Sequence, residues 1–226
     1  MPQIAEDLLL LLLNNASGRP LLDKNRRAQA LAAAIVLDLA LAQRVRPATH
    51  GEPSKAGHLL VLQAPDIGDP VLDRAIHRLR RRPMSPAEAI TKVGRGVNSQ
   101  MLHRLEITGD IHTVRMGSRL FPEKYWPVTN NERANAVRQG VTDVLFHYAP
   151  PAPSTAAIIA VLHGVNGFDA ILSLDPIGRQ QVSRWSQTIA DGGWAAQTRD
   201  NRGPAVNLAV TAAVISAALH SMNHCV

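Results

Sequence analysis

Only one cysteine, Cys225, stands in 226 residues. An intrachain disulfide is therefore excluded, and the chain suits a reducing compartment. Aromatic residues are scarce too, at 4%. The core must then be built from Leu, Ala, Val and Ile, a palette that favours helices over sheets. The sequence has no P-loop, no GxGxxG, no HExxH, no GxSxG and no paired CxxC. Nothing in it supplies an activated nucleophile or an acid–base pair, so a non-enzymatic protein without cofactor or resident metal is expected. Internal repeats, low-complexity blocks and a polybasic tail are missing as well.

What the chain does have is a run of six leucines, Leu8 to Leu13. Leucine is a strong helix former. Glu6 and Asp7 sit near the start, where negative charge suits the helix dipole, and Asn14, Asn15, Ser17, Gly18 and Pro20 stop the helix after it. A helix apolar on every side must be buried on every side. The run is too short to cross a bilayer, which takes about 20 residues. Acidic residues before it and a polar turn after it also argue against a signal peptide.

From this centre the chain is predicted as one domain over 1–226, mainly α, with helices wrapped around the buried one and one or two small β-hairpins. Expected helices cover about Ile4–Leu13, Leu22–Arg44, Pro70–Arg82, Pro86–Val93, Val97–Ile107, Glu132–His147, Ser154–His163, Pro176–Ala190 and Pro204–Met222. Ser85, Pro86 and Glu88 make a capping signature, and Ser154 or Thr155 is expected to cap the helix that follows APPAP. Leu59–Leu62 reads as a short strand. Two more strands, IHTVR and SRLFP, are expected to join at Met116 and Gly117. The last helix is apolar, but Asn207, His220 and Asn223 mark it as a core helix instead of a membrane anchor.

The net charge is +6 and the isoelectric point about 10.2, which points to polyanionic partners. Two clusters stand out. Arg78, Arg80, Arg81 and Arg82 lie at a helix end where cations suit the dipole. They read first as a solvated C-terminus, with contact to anionic headgroups as the functional alternative. Lys24, Arg26 and Arg27 lie at a helix start, where cations are disfavoured, and a set that breaks a local rule is the better functional candidate. A phosphate there would meet both cations and free helix N–H groups. Val97–Pro122, a helix followed by a hairpin, has a winged-helix order, with Arg104, Arg115 and Arg119 as phosphate contacts. Its exposed helix face is thin in base-reading side chains, so a helix packed on the core is the plainer reading and nucleic acid is not the expected partner. His220, His224 and Cys225 could ligate a metal, but a loose tail is the plainer reading there.

IAEDLLLLLLNNASGRPLL, then ALAAAIVLDLALAQRV, GDPVLDRAI, LEITGDI and WPVTNN, resemble the Golgi phosphoprotein 3 (GPP34 domain) family, in particular its actinobacterial branch, over nearly the whole chain. The resemblance implies a mainly α domain around a buried helix. It also implies a cytoplasmic, non-enzymatic peripheral membrane protein on the cytoplasmic face of a membrane. Such a protein would bind a phosphoinositide, of the phosphatidylinositol 4-phosphate kind, and act as an adaptor for membrane-protein clients, with homo-oligomers as a further implied association. The family's lipid pocket uses a Trp and an Arg around the second helix and an Arg-x-x-Arg pair. Laid alongside without gaps, these positions fall on Asp23, Ala32, Arg95 and Asn98, and only Arg95 matches. Lys24, Arg26 and Arg27 lie near the Trp position along the helix and could rebuild a basic pocket there, so by that proximity, not by a family match, they join Arg95 as the expected headgroup site. The family's apolar-tipped hairpin would correspond to Phe146–Thr155.

Overall fold

The computed structural model describes every residue except 1–2, 16, 119–120, 195–202 and 225–226. In chain order the elements are α1 (Gln3–Leu11), α2 (Lys24–Leu41), β1 (Val45–Pro47), β2 (Leu59–Val61), α3 (Pro70–Leu79), α4 (Pro86–Gly94) and α5 (Val97–Ile107). β3 (Val114–Ser118), β4 (Phe121–Tyr125), α6 (Asn131–His147), α7 (Pro153–Gly164), α8 (Phe168–Ile171), α9 (Pro176–Ala190) and α10 (Pro204–His224) complete them. The expected mainly α fold is what forms, with β1–β2 and β3–β4 as two small antiparallel pairs.

α1 is the centre. Ile4 to Leu13 are all buried, and α2, α5, α6 and α7 surround the helix. It ends at Leu11, two residues short of the leucine run. There the turn tightens: Leu12 N–H is shared between the carbonyls of Leu8 and Leu9, and Leu13 N–H reaches Leu10. The chain then reverses, with Asn14 N–H on Arg19 O at 2.9 Å and Leu13 bridging to Pro20. Gly18 makes this possible. Its φ is +64°, and a Cβ there would lie 2.4 Å from the backbone nitrogen of Pro127.

A helix buried this completely cannot leave its free N–H groups to water. Asp38, in the last turn of α2, accepts from Ile4 N–H at 2.9 Å and Ala5 N–H at 3.0 Å. Burial pushes its carboxyl up to about 7, against the pull of those two donors. The two acidic residues of α1 are buried as well and need cations. Glu6 meets Arg104 at 2.5 Å and Arg133 at 2.9 Å, and Asp7 meets Arg133 at 2.8 Å. Arg133 also holds Asp110 at 3.0 Å, and Arg104 holds Asp69 at 2.8 Å.

α2 starts at Lys24, later than expected, because Asp23 caps it by accepting from Asn25 and Arg26 N–H. α7 begins at Pro153 with Ala152 as its cap, not at Ser154 or Thr155. Proline at the first helical position lacks only an N–H that would have had no partner. β3 and β4 pair from Val114↔Tyr125 to Ser118↔Phe121, so Met116 and Gly117 lie within the ladder instead of joining the strands. α10 has the length and apolarity of a membrane span. It packs against α7, α2 and α4 and buries Leu208, Ala212, Ile215 and Leu219. Asn207 fixes its start by donating to Ala40 O and Val45 O. Where α10 crosses α7, a Cβ on Gly164 would sit 2.8 Å from Leu219 Cβ.

Two tests follow from the burial of α1. Arg133→Ala strips the partner shared by Glu6, Asp7 and Asp110 and is expected to cost roughly 3–5 kcal/mol in urea denaturation; a loss under about 1 kcal/mol would show that the carboxylates find water instead. Asp38 has its carboxyl raised in the fold, so the stability it adds is complete below the unfolded-state value of about 3.9 and is lost as pH rises through about 7. Asp38→Asn keeps one acceptor of two and should cost about 1–3 kcal/mol at pH 5. That deficit should narrow by pH 8, and a deficit that instead widens with pH would show that the carboxylate is buried ionised.

Candidate functional site

α3 is placed by its N-cap. Asp69 accepts from Val71 and Leu72 N–H, Pro70 occupies the first helical position, and Asp73 accepts from Ile67 and Gly68 N–H. The helix buries Leu72, Ala75, Ile76 and Leu79. Arg74, His77 and Arg78 are thereby sent to the opposite face, at i, i+3 and i+4, and Arg81 follows in the turn just past the C-cap Arg80. α4 runs alongside, capped by Ser85, which accepts from Glu88 N–H at 3.2 Å as its capping signature predicts. At its far end Arg78 donates to the carbonyls of Lys92, Val93 and Arg95 at 3.0–3.1 Å. A cation on a helix C-terminus offsets both the unpaired carbonyls and the dipole. This clasp locks α3 to α4 and leaves Arg95 splayed outward at the α4–α5 junction.

Between the two helices lies a cavity of about 450 Å³ lined by Arg74, His77, Arg78, Arg81, Lys92 and Arg95. No carboxylate lines it. Lys92 is paired with Glu88 at 3.1 Å, and the hydrogen bond from Lys92 holds the Glu88 carboxyl below the usual carboxylate range. Arg74, Arg81 and Arg95 are exposed and make no ion pair or hydrogen bond through their side chains to any described residue. Clustered like charges without partners repel one another, so the arrangement favours an anion that bridges them.

Of the four expected site residues, only Arg95 lines this cavity. The other three do not converge with it. Arg26 reaches across to α7 and donates to Val165 O at 2.5 Å and Asn166 O at 2.6 Å. It lines a different cavity, with Asp23, Asp169 and Asn223. Arg27 is buried, donating to Asn98 Oδ1 at 3.1 Å and Leu22 O at 3.3 Å, and burial lowers its pKa. Lys24 is exposed at the start of α2, and its carbonyl accepts from Asn98. Two of the three charges that looked misplaced at the α2 N-terminus, Arg26 and Arg27, are therefore answered inside the fold, and Asp23 caps the helix.

The remaining family-derived positions are likewise used by the fold. Asp23 is the α2 cap, Ala32 is core and Asn98 binds Arg27 and Lys24. Arg74, His77 and Lys92 were not singled out from the sequence, although the i, i+3, i+4 stripe on α3 was there to find. Phe146–Thr155 forms no hairpin. It is the end of α6, a left-handed Tyr148 at φ 54° and the start of α7. Tyr148 packs edge-on to Trp185 at 5.4 Å. An antiparallel strand pair, β3–β4, follows α5.

α5 packs Val97, Met101, Leu102 and Leu105 inward on the core, and its Arg104 is spent on Glu6 and Asp69 instead of meeting a phosphate. Arg115 is exposed on β3, and Arg119 lies outside the described residues. So do Cys225 and the side chain of His224. The rings of His220 and His163 stack at 6.3 Å.

Arg26→Ala strands the carbonyls that end α7, and is expected to lower stability by about 1–3 kcal/mol with vesicle binding unchanged. An unaltered denaturation midpoint would reopen Arg26 as a ligand contact.

No curated protein compared with the chain matches it. The family model of Golgi phosphoprotein 3 (GPP34) matches residues 4–213, a span that begins within the leucine helix and ends inside α10. Taken with the helices folded around that leucine core, the match makes this chain a member of the Golgi phosphoprotein 3 family.

Proposed function

We propose that the chain is a non-enzymatic peripheral membrane protein that binds the phosphorylated headgroup of an anionic phospholipid, of the phosphoinositide class, in the cavity between α3 and α4. The observation that carries this reading is the trio of unpartnered guanidiniums, Arg74, Arg81 and Arg95, around a wall without a carboxylate. Planar guanidiniums match phosphate oxygens in geometry as well as charge. Family membership supports the same ligand class. In this reading the protein sits on the cytoplasmic face of a membrane, where anionic lipid collects, and serves there as an adaptor for membrane-protein clients, with self-association as a further mode. Arg78 shapes the site and adds its charge, while Lys24, Arg26 and Arg27 stand outside it.

The test is co-sedimentation with phosphatidylcholine vesicles containing or lacking phosphatidylinositol 4-phosphate. Binding should require the phosphoinositide and weaken with added salt. Each cation near such a surface is worth about 1 kcal/mol, so Arg81→Ala with Arg95→Ala should weaken binding about 30-fold. Lys24→Ala should change it by less than about fivefold, the effect of one surface cation. Binding indifferent to Arg81 and Arg95 would sink the proposal.

A further inference from the structure

A second concavity shares a wall with the cationic one. It lies between the first turns of α3 and the last turns of α5, encloses about 460 Å³, and is walled by Pro70, Val71, Arg74, His103, Arg104 and Ile107, among others. Its character is apolar. Ile107 is 72% exposed, an aliphatic side chain with no cover at the end of its helix. Arg104 is held by Glu6 and Asp69, so its charge is neutralised and its methylene stem is what it can offer the groove. Arg74 lines both spaces. Along one exposed face of α3 and the turn after it the chain thus runs from apolar, at Pro70 and Val71, through Arg74 to the cations at His77, Arg78 and Arg81.

We propose that this groove takes one acyl chain of the same lipid whose phosphate the cationic cavity binds, so that the ligand is the whole amphiphile and not its headgroup. The proposal rests on the headgroup reading above and extends it. A free phosphate or a soluble inositol phosphate satisfies the cations and leaves the groove empty. A ligand with an anionic head beside an aliphatic tail matches both, in the order in which α3 presents them. The volume is within the range of small-molecule sites, and the chain that enters it leaves the bilayer edge to cover Val71 and Ile107.

The test uses ligands that differ only in chain length: glycerophosphoinositol 4-phosphate, then dibutanoyl, dihexanoyl and dioctanoyl phosphatidylinositol 4-phosphate, each titrated below its micelle concentration. Affinity is expected to rise about fourfold for each methylene that enters the groove, and then to level off once it is full. Ile107→Ser should flatten the series, and Ile107→Trp, which fills the groove, should abolish the rise. Both should leave the affinity for glycerophosphoinositol 4-phosphate unchanged, since Ile107 is too exposed to matter for folding. Headgroup binding with no dependence on chain length would overturn this inference and leave the headgroup site standing. Affinity for the dioctanoyl lipid that is unchanged in Arg81→Ala with Arg95→Ala would also overturn it, because one ligand must span both spaces. No binding to any member of the series would remove both readings.

Discussion

Burying α1 on all sides is the constraint from which the rest of the structure follows. Hydrophobic residues alone do not solve it, because a helix carries free N–H groups at one end and this one also carries Glu6 and Asp7. Each of these needs a partner brought from elsewhere in the chain. Asp38 comes from α2, Arg104 from α5 and Arg133 from α6. Three helices are therefore fixed around the first by polar geometry, not only by packing. The connection extends to the site. Asp69 caps α3 with one oxygen and takes Arg104 with the other. The N-terminus of α3, and with it the cation stripe and the apolar groove, is thus tied through a single guanidinium to the leucine helix.

Arginines in this protein divide by what they face. Arg26 ends α7 and Arg78 ends α4, each by donating to carbonyls that the helix leaves unpaired. Arg104 and Arg133 serve buried carboxylates. Arg27 is held inside by Asn98 and Leu22. Against these, Arg74, Arg81 and Arg95 face solvent and one another. A basic residue becomes a candidate ligand contact here only after the fold has no use for it, and that distinction separates the α3–α4 face from Arg26 and Arg27.

The same distinction explains what could be read from the sequence. Six consecutive leucines admit no amphipathic solution, so burial of α1 and a helical layer around it followed from local composition. The cap made by Ser85 was equally legible, since the donor lies three residues from the acceptor. The roles of Arg26 and Arg27 were not. Their partners stand 139 and 71 positions away, and no periodicity encodes a distance of that kind. A dipole argument therefore assigned function to charges whose cost the tertiary structure had already met. The stripe of Arg74, His77, Arg78 and Arg81 was legible by spacing. Its meaning depended on α4 arriving beside it with Lys92 and Arg95, which only the fold could supply.

Net charge also means something different once the partners are known. The network around α1 holds four carboxylates, Glu6, Asp7, Asp69 and Asp110, against two guanidiniums, Arg104 and Arg133. With these carboxylates ionised, the interior keeps an excess of negative charge, and the rest of the chain is more positive than its overall +6. Burial raises the Asp7 carboxyl against the pull of Arg133, so the excess is held at a cost that desolvation sets. Sequestering acid beneath α3 and α5 also removes it from the surface where it would quench Arg74, Arg81 and Arg95. The polar solution to burying one helix is therefore also what leaves the neighbouring face free for an anion.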